Sequence, residues 1–342
     1  MTPSSRTVLS AALATLLLCA CKGAPEEPAA PDAPAAPEAP ATTATTSGIH
    51  PSCPAEPGTA PRGELVATRI AAADGDGSKG LYEGPVWTGG ALYFSDFTFD
   101  EGFPSKIRRL TADGRLETAI DPSGSNGLAL GDDGALLAAT HDRKEISRFD
   151  LVDGSRIRIV GEFEGQPFNS PNDLVASADG TIWFTDPDFQ RAAAPGGQER
   201  TRVYRVGTDG VVSVVDDTLR NPNGIALSPD GRTLYVAGGE ENGVLRAYPL
   251  VDGRPDGSHR DLVSDAVIPD GLAVDCLGNI YLTEHTRRRV RVVSPQGEAL
   301  ATIAVDANLT NATFGGEDRR TLYLTGAGSV WSIGLDVAGL PY

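Results

Sequence analysis

Six polar residues recur in one sequence context: Glu83, Asn126, Asn172, Asn223, Asp270 and Asn311, at intervals of 43, 46, 51, 47 and 41 residues. Each opens a phrase of small and apolar residues, a Gly- or Asp-rich turn and a β-rich run. PNDLVASADGTIWFTD (171–186), PNGIALSPDGRTLYVA (222–237) and PDGLAVDCLGNIYLTE (269–284) are three of the copies. Brought to one place, two carboxylates and several amides make an all-oxygen donor set. That set suits a hard divalent cation, and Ca²⁺ takes about 6–8 oxygen ligands. Ligand type alone leaves Zn²⁺, Mg²⁺, Mn²⁺ and Fe²⁺ open, though an all-oxygen ring leans towards Ca²⁺. Without a cation the two carboxylates would repel, and one would tend to hold a proton. Asn-Gly and Asp-Gly are also ordinary turn formers. Turn formation stays open as the explanation for Asn126 and is the better one for Asn311, but Glu83 has no such explanation.

The elements that position these anchors follow from the repeat. Residues 63–342 divide into six units of about 47 residues, the length of a four-stranded blade. The fold predicted is all-β, a six-bladed β-propeller with a central metal-binding channel. In a propeller the first strand of each blade lines the channel, so the six anchors converge at one mouth. Glu83 is expected opposite Asn223, Asn126 opposite Asp270, and Asn172 opposite Asn311. His141 and His285 each lie 15 residues beyond their anchors. They are expected to face one another across the entrance as substrate contacts, with an ordinary surface role as the alternative. The stretch ELVATRI (64–70) is expected to supply the outer strand of the last blade and close the ring.

Composition narrows the function classes. The chain has 342 residues, a formal net charge of -17, forty glycines and one Met. So strong an acid balance argues against a nucleic-acid partner, and the glycine content against a helical bundle. Residues 1–21 carry Arg6 and then an apolar stretch too short to span a bilayer, which fits an export signal. Leu18-Cys19-Ala20-Cys21 resembles a lipoprotein box with Cys21 as the lipidated residue; an ordinary cleaved signal is the alternative. Ten of the chain's 25 prolines fall in residues 22–62, expected to be an extended, disordered tether. The domains are therefore 1–21, 22–62 and 63–342. The chain is expected to be an exported bacterial lipoprotein of the cell envelope, touching a membrane only through its lipid. Cys53 and Cys276 are left either to pair in an oxidising compartment or to remain free thiols.

The motifs EGPVW (83–87), SPNDLV (170–175), PNGIALSPDGRTLYVA (222–237) and PDGLAVD (269–275) resemble the gluconolactonase and regucalcin (senescence marker protein) family. The resemblance covers nearly all of residues 64–335. It implies a six-bladed propeller with one catalytic divalent cation, hydrolysing lactones. Glu83, Asn223 and Asp270 match the family's metal ligands, and Asn172 matches a residue that coordinates metal or contacts substrate. Asp270 falls on the family's general base. Ser170 stands where the regucalcin branch has Arg, which puts a sugar-lactone preference in doubt. Asn126, His141 and His285 remain as substrate contacts.

A bound cation would polarise a lactone carbonyl while Asp270 deprotonates the attacking water. Two alternatives stay in view: hydrolysis of another ester or a phosphotriester at the same centre, and a non-catalytic propeller that binds a ligand and keeps a structural Ca²⁺. GDGSKG (75–80) satisfies a nucleotide-loop pattern but precedes a strand instead of opening a helix, so it is taken as a solvated turn. Trp87, Trp183 and Trp331 lie in or beside strand segments and are expected in the core.

Overall fold

Among the described residues, short apolar runs broken by Gly- and Asp-rich turns pair along the chain into six successive sheets of four or five strands, antiparallel but for one strand. In the computed structural model that gives the structure of the protein, residues 50–72 and 80–341 are described. All of them belong to the compact unit Thr46–Tyr342. The leader with Cys19 and Cys21, the tether up to residue 49, and residues 75–79 of GDGSKG lie outside the described residues.

The architecture is the six-bladed propeller. Its first strands are Leu81–Thr88, Ser125–Leu130, Leu174–Ala176, Pro222–Leu227, Pro269–Val274 and Leu309–Gly315. The first strands of blades two, four and five are buried or nearly so along their length, being covered on both faces. Six apolar clusters hold the wheel together, one at each junction between neighbouring blades. The junction of blades two and three stacks Phe168, Phe184 and Tyr204. Trp183 and Trp331 are core residues at 1% exposure, and Trp87 stacks on Tyr323 across the junction of blades six and one.

The second half of ELVATRI closes the ring as expected, but the first half does not join the last blade. ELVATRI is split between two blades at the buried Ala67. Gly63–Val66 adds a parallel fifth strand to blade five along Ala299–Ala304, and Thr68–Ala72 pairs antiparallel with Ser329–Gly334 of blade six. One strand could not do both, because two adjacent blades diverge from the axis. The folded part also begins earlier than residue 63. Thr59 N–H donates to Asp336 O, Ala338 N–H donates to Pro57 O, and Cys53 is disulfide-bonded to Cys276 with a Cα–Cα distance of 5.6 Å. Proline richness, read as tether, continues into this strap because proline also suits an edge segment that donates few hydrogen bonds.

The acidic surplus has a local cause as well. Asp133, Asp179, Asp209, Asp230, Asp275 and Asp318 each accept the backbone N–H two residues on, closing Asp-containing turns at the hairpins.

Candidate active site

Five of the anchors sit near the start of the first strands, where the ladders slip, and Asn172 lies two residues ahead of Leu174–Ala176. Pairing shifts register between Glu83 and Val86, Ser125 and Leu128, Pro222 and Ile225, Pro269 and Leu272, and Leu309 and Asn311. Such bulges bend a strand and re-aim its side chains. The glycines after the anchors act by their size. A Cβ on Gly127 would lie 2.5 Å from Asn172 O, one on Gly224 2.3 Å from Asp270 O, and one on Gly271 2.0 Å from Asn311 Cγ. None of these three glycines has a left-handed φ. Asn126-Gly127 and Asn223-Gly224 are thus strand residues, and the turn explanation is set aside: glycine lets neighbouring first strands approach at the axis.

Hydroxyls on second and first strands stitch the mouth. Thr185 Oγ1 donates to Asn223 O at 2.7 Å, Thr283 Oγ1 to Thr310 O at 2.7 Å, and Thr310 Oγ1 to Tyr82 O. Gly127 N–H donates to Asn172 O at 2.6 Å.

Within this frame lies a buried cluster of three carboxylates. Glu83, Asp173 and Asp270 are 5%, 6% and 7% exposed. Burial first, then the charges of Asp270 and Asp173, push the Glu83 carboxyl well above the ordinary range. Burial likewise raises Asp173 to about 7, against the hydrogen bond from Asn311. The Asn311 amide bridges the two, with Nδ2 at 3.2 Å from Asp173 Oδ2 and 3.5 Å from Glu83 Oε2. Burial raises Asp270 also, opposed by hydrogen bonds from His285 and Asn223. Asp270 Oδ1 is buried with no hydrogen-bond partner.

The sequence-derived residues fare differently. Glu83, Asn223 and Asp270 come together. Asn172 is buried at the same mouth with its backbone tied to blades two and three. Asn126 is 1% exposed; its Nδ2 lies 3.4 Å from Gln190 Oε1, and its Oδ1 has no partner. His285 touches the cluster, Nδ1 lying 3.5 Å from Asp270 Oδ2. His141 departs from the expected symmetry. It is fully buried against Phe97 and Phe103, with Nε2 at 2.7 Å from Phe103 O. The 98–104 connection covers it, so its matched position does not make it a second open wall of the entrance.

Asp173 and Gln190 lay outside the candidate set, and Asn311, for which turn formation was the better explanation, is instead a strand residue at the cluster. Asp173 had a signal, since SPND is the only copy with an acid where Glu83, Asn126, Asn223 and Asp270 are followed by glycine. Gln190 had none, because it sits in a long connection.

Among the described residues no three His, Cys, Asp or Glu side chains form a metal cage by themselves. A cation would need the amide oxygens of Asn172 and Asn223. The residues fit one: Asp270 Oδ1 is buried without a partner, and three converging carboxylates repel unless a cation or protons offset them.

The model of the SMP-30/Gluconolactonase/LRE-like region matches residues 81–328, and the chain belongs to this family. A gluconolactonase from Zymomonas mobilis is 30% identical over 288 residues, covering 72% of this chain and 76% of that protein. A solved gluconolactonase from Xanthomonas campestris has a TM-score of 0.67 at 29% identity, covering 83% of this chain and 99% of that one. The calcium-binding regucalcin of Agrobacterium tumefaciens shares the fold, with a TM-score of 0.66 at 23% identity over 82% of this chain and 98% of that one.

Proposed function

We propose that the protein is a metal-dependent lactone hydrolase whose reaction takes place at the axial carboxylate cluster. One observation carries this: Asp270 presents a buried, unpartnered carboxylate oxygen beside Glu83, while its other oxygen is engaged by His285. The chain's gluconolactonase relatives supply the substrate class, a lactone or related cyclic ester.

A divalent cation held by Glu83, Asn172, Asn223 and Asp270, with Ca²⁺ favoured by the all-oxygen set, would polarise the lactone carbonyl. Asp270 takes the proton of the attacking water. His285 orients that carboxylate and disperses its charge. The free Oδ1 of Asn126 is an acceptor for a substrate hydroxyl, and the buried Asn311 amide donates to both Glu83 and Asp173. Water addition and ring opening need no nucleophilic serine.

The export reading belongs here too. Cys21 as a lipidated residue would tether the propeller to a membrane of the cell envelope, and the Cys53–Cys276 disulfide suits an oxidising compartment.

The test is acid release from a lactone panel by the full chain, after chelation and after adding back single metals. Metal-restored turnover that is lost in Asp270→Asn supports the proposal. Tight cation binding with no turnover of any lactone would favour a binding propeller; turnover confined to other esters or phosphotriesters would reassign the substrate.

A further inference from the structure

Lys144 lies in the turn between the second and third strands of blade two and is 1% exposed. Its Nζ donates to three main-chain carbonyls: Asn169 at 2.6 Å, Arg191 at 2.9 Å and Gly196 at 3.1 Å. Asn169 lies three residues ahead of Asn172. Arg191 and Gly196 belong to the 187–201 connection of blade three, which brings Gln190 to Asn126.

A buried carboxyl group holds the same segment from the other side. Asp186 Oδ2 accepts Asn169 N–H at 2.9 Å, and Oδ1 accepts Ser170 N–H at 2.8 Å. Ser170 Oγ then donates to Pro187 O at 2.7 Å and accepts Gln190 N–H at 3.3 Å. Ser170 is therefore spent on fixing the start of the 187–201 connection.

The turn does not require a buried cation. Arg288 occupies the equivalent place in blade five, three residues after His285 as Lys144 is three after His141, and it is exposed. Lys144 and Arg288 share a left-handed φ, 54° and 56°, so the turn sets that conformation in both and only the burial differs. Stability alone would be served as well by an apolar side chain of similar length, since burying an ammonium is costly. An ion here gives conformational definition to two segments that meet at the site.

We propose that Lys144 is a positioning residue: with Asp186 it clamps the 187–201 connection and the segment ahead of Asn172 in the arrangement the reaction uses. The kinetic part of this rests on the lactone-hydrolase proposal; the structural part does not.

Lys144→Met tests it by two measurements. Trypsin cleavage after Arg191, whose own carbonyl is one of the acceptors, should quicken roughly tenfold in folded, metal-free protein. KM for the best lactone should rise roughly tenfold with kcat within about threefold, as expected when charge-assisted hydrogen bonds to a binding segment are lost. Lys144→Arg, which keeps the charge, should recover much of both. Wild-type cleavage and KM in folded Lys144→Met would overturn the proposal. Should Lys144→Met fail to fold, Asp186→Asn must show the same paired signature, and wild-type behaviour there overturns it equally. Should the wild-type protein open no lactone, the function proposal fails by itself and the cleavage rates still decide the clamp.

Discussion

His285 Nδ1 faces two acceptors at once, Asp270 Oδ2 at 3.5 Å and Leu309 O at 2.5 Å. Facing acceptors only, Nδ1 carries the proton, and Nε2 is left to accept from Asn308 Nδ2 at 3.4 Å. Burial by itself would lower the His285 pKa, but the Asp270 carboxylate and the Leu309 carbonyl together outweigh it and the imidazole is held above its ordinary value. The carboxylate that serves as base is thus steered by an imidazole N–H from its own blade.

Removing that neighbour has a definite sign. Without His285 only the Asn223 hydrogen bond opposes burial at Asp270, and its pKa rises. In His285→Phe the acidic limb of kcat/KM should move to higher pH, with kcat/KM down roughly tenfold at neutral pH. An unmoved acidic limb would show that another group sets it.

Asp270→Asn keeps shape and removes the base. Turnover should fall by roughly 10²–10⁴, with the circular dichroism spectrum unchanged. A loss under about fivefold would remove Asp270 from the proton-transfer step.

The carboxylate cluster also makes stability depend on pH. Asp173 in the folded protein is raised by burial to about 7, whereas its unfolded value is about 3.9. Across that window the folded state binds more protons than the unfolded state, so stability falls as pH rises through it. Chelated protein should melt higher at pH 5 than at pH 7.5. Adding Ca²⁺ should raise the melting temperature most at pH 7.5, and Asp173→Asn should flatten the chelated profile. Melting temperatures that climb with pH in chelator would contradict this.

The axial glycines are tested by a methyl group. Gly224→Ala would place Cβ 2.3 Å from the backbone oxygen of Asp270, and Gly271→Ala would place it 2.0 Å from the Asn311 side chain. Each should cost roughly 2–4 kcal/mol, at the upper end of overpacking penalties. Gly334→Ala, where a Cβ meets nothing within 4 Å, is the matched control and should change stability little. Denaturant titration measures all three.

Cys276 follows the end of its first strand, whereas Asp270 is near the start of that strand. The disulfide spans 223 residues of sequence, and its removal by Cys276→Ser should lower stability by roughly 3–5 kcal/mol. Ca²⁺ affinity by calorimetry should stay within about twofold, because the change lies at the opposite end of the blade.

The sequence alone determined the period, the strand-turn-strand grammar and the identity of Glu83, Asn223 and Asp270. These are local matters: strand propensity, turn chemistry and side-chain type repeat wherever a blade repeats. Tertiary structure decided what depends on distance between blades. Only there does Gly271 prove to be shaped by Asn311, and only there does Asn311 reach Asp173 on the far side of the wheel. His141 and His285 have matched spacing, yet the 98–104 connection buries one while the other meets Asp270. ELVATRI reads as a single strand, but two neighbouring blades share it. Spacing along the chain sets which blade a residue belongs to. Its partners come from other blades and from long connections, whose paths are fixed by packing and not by period.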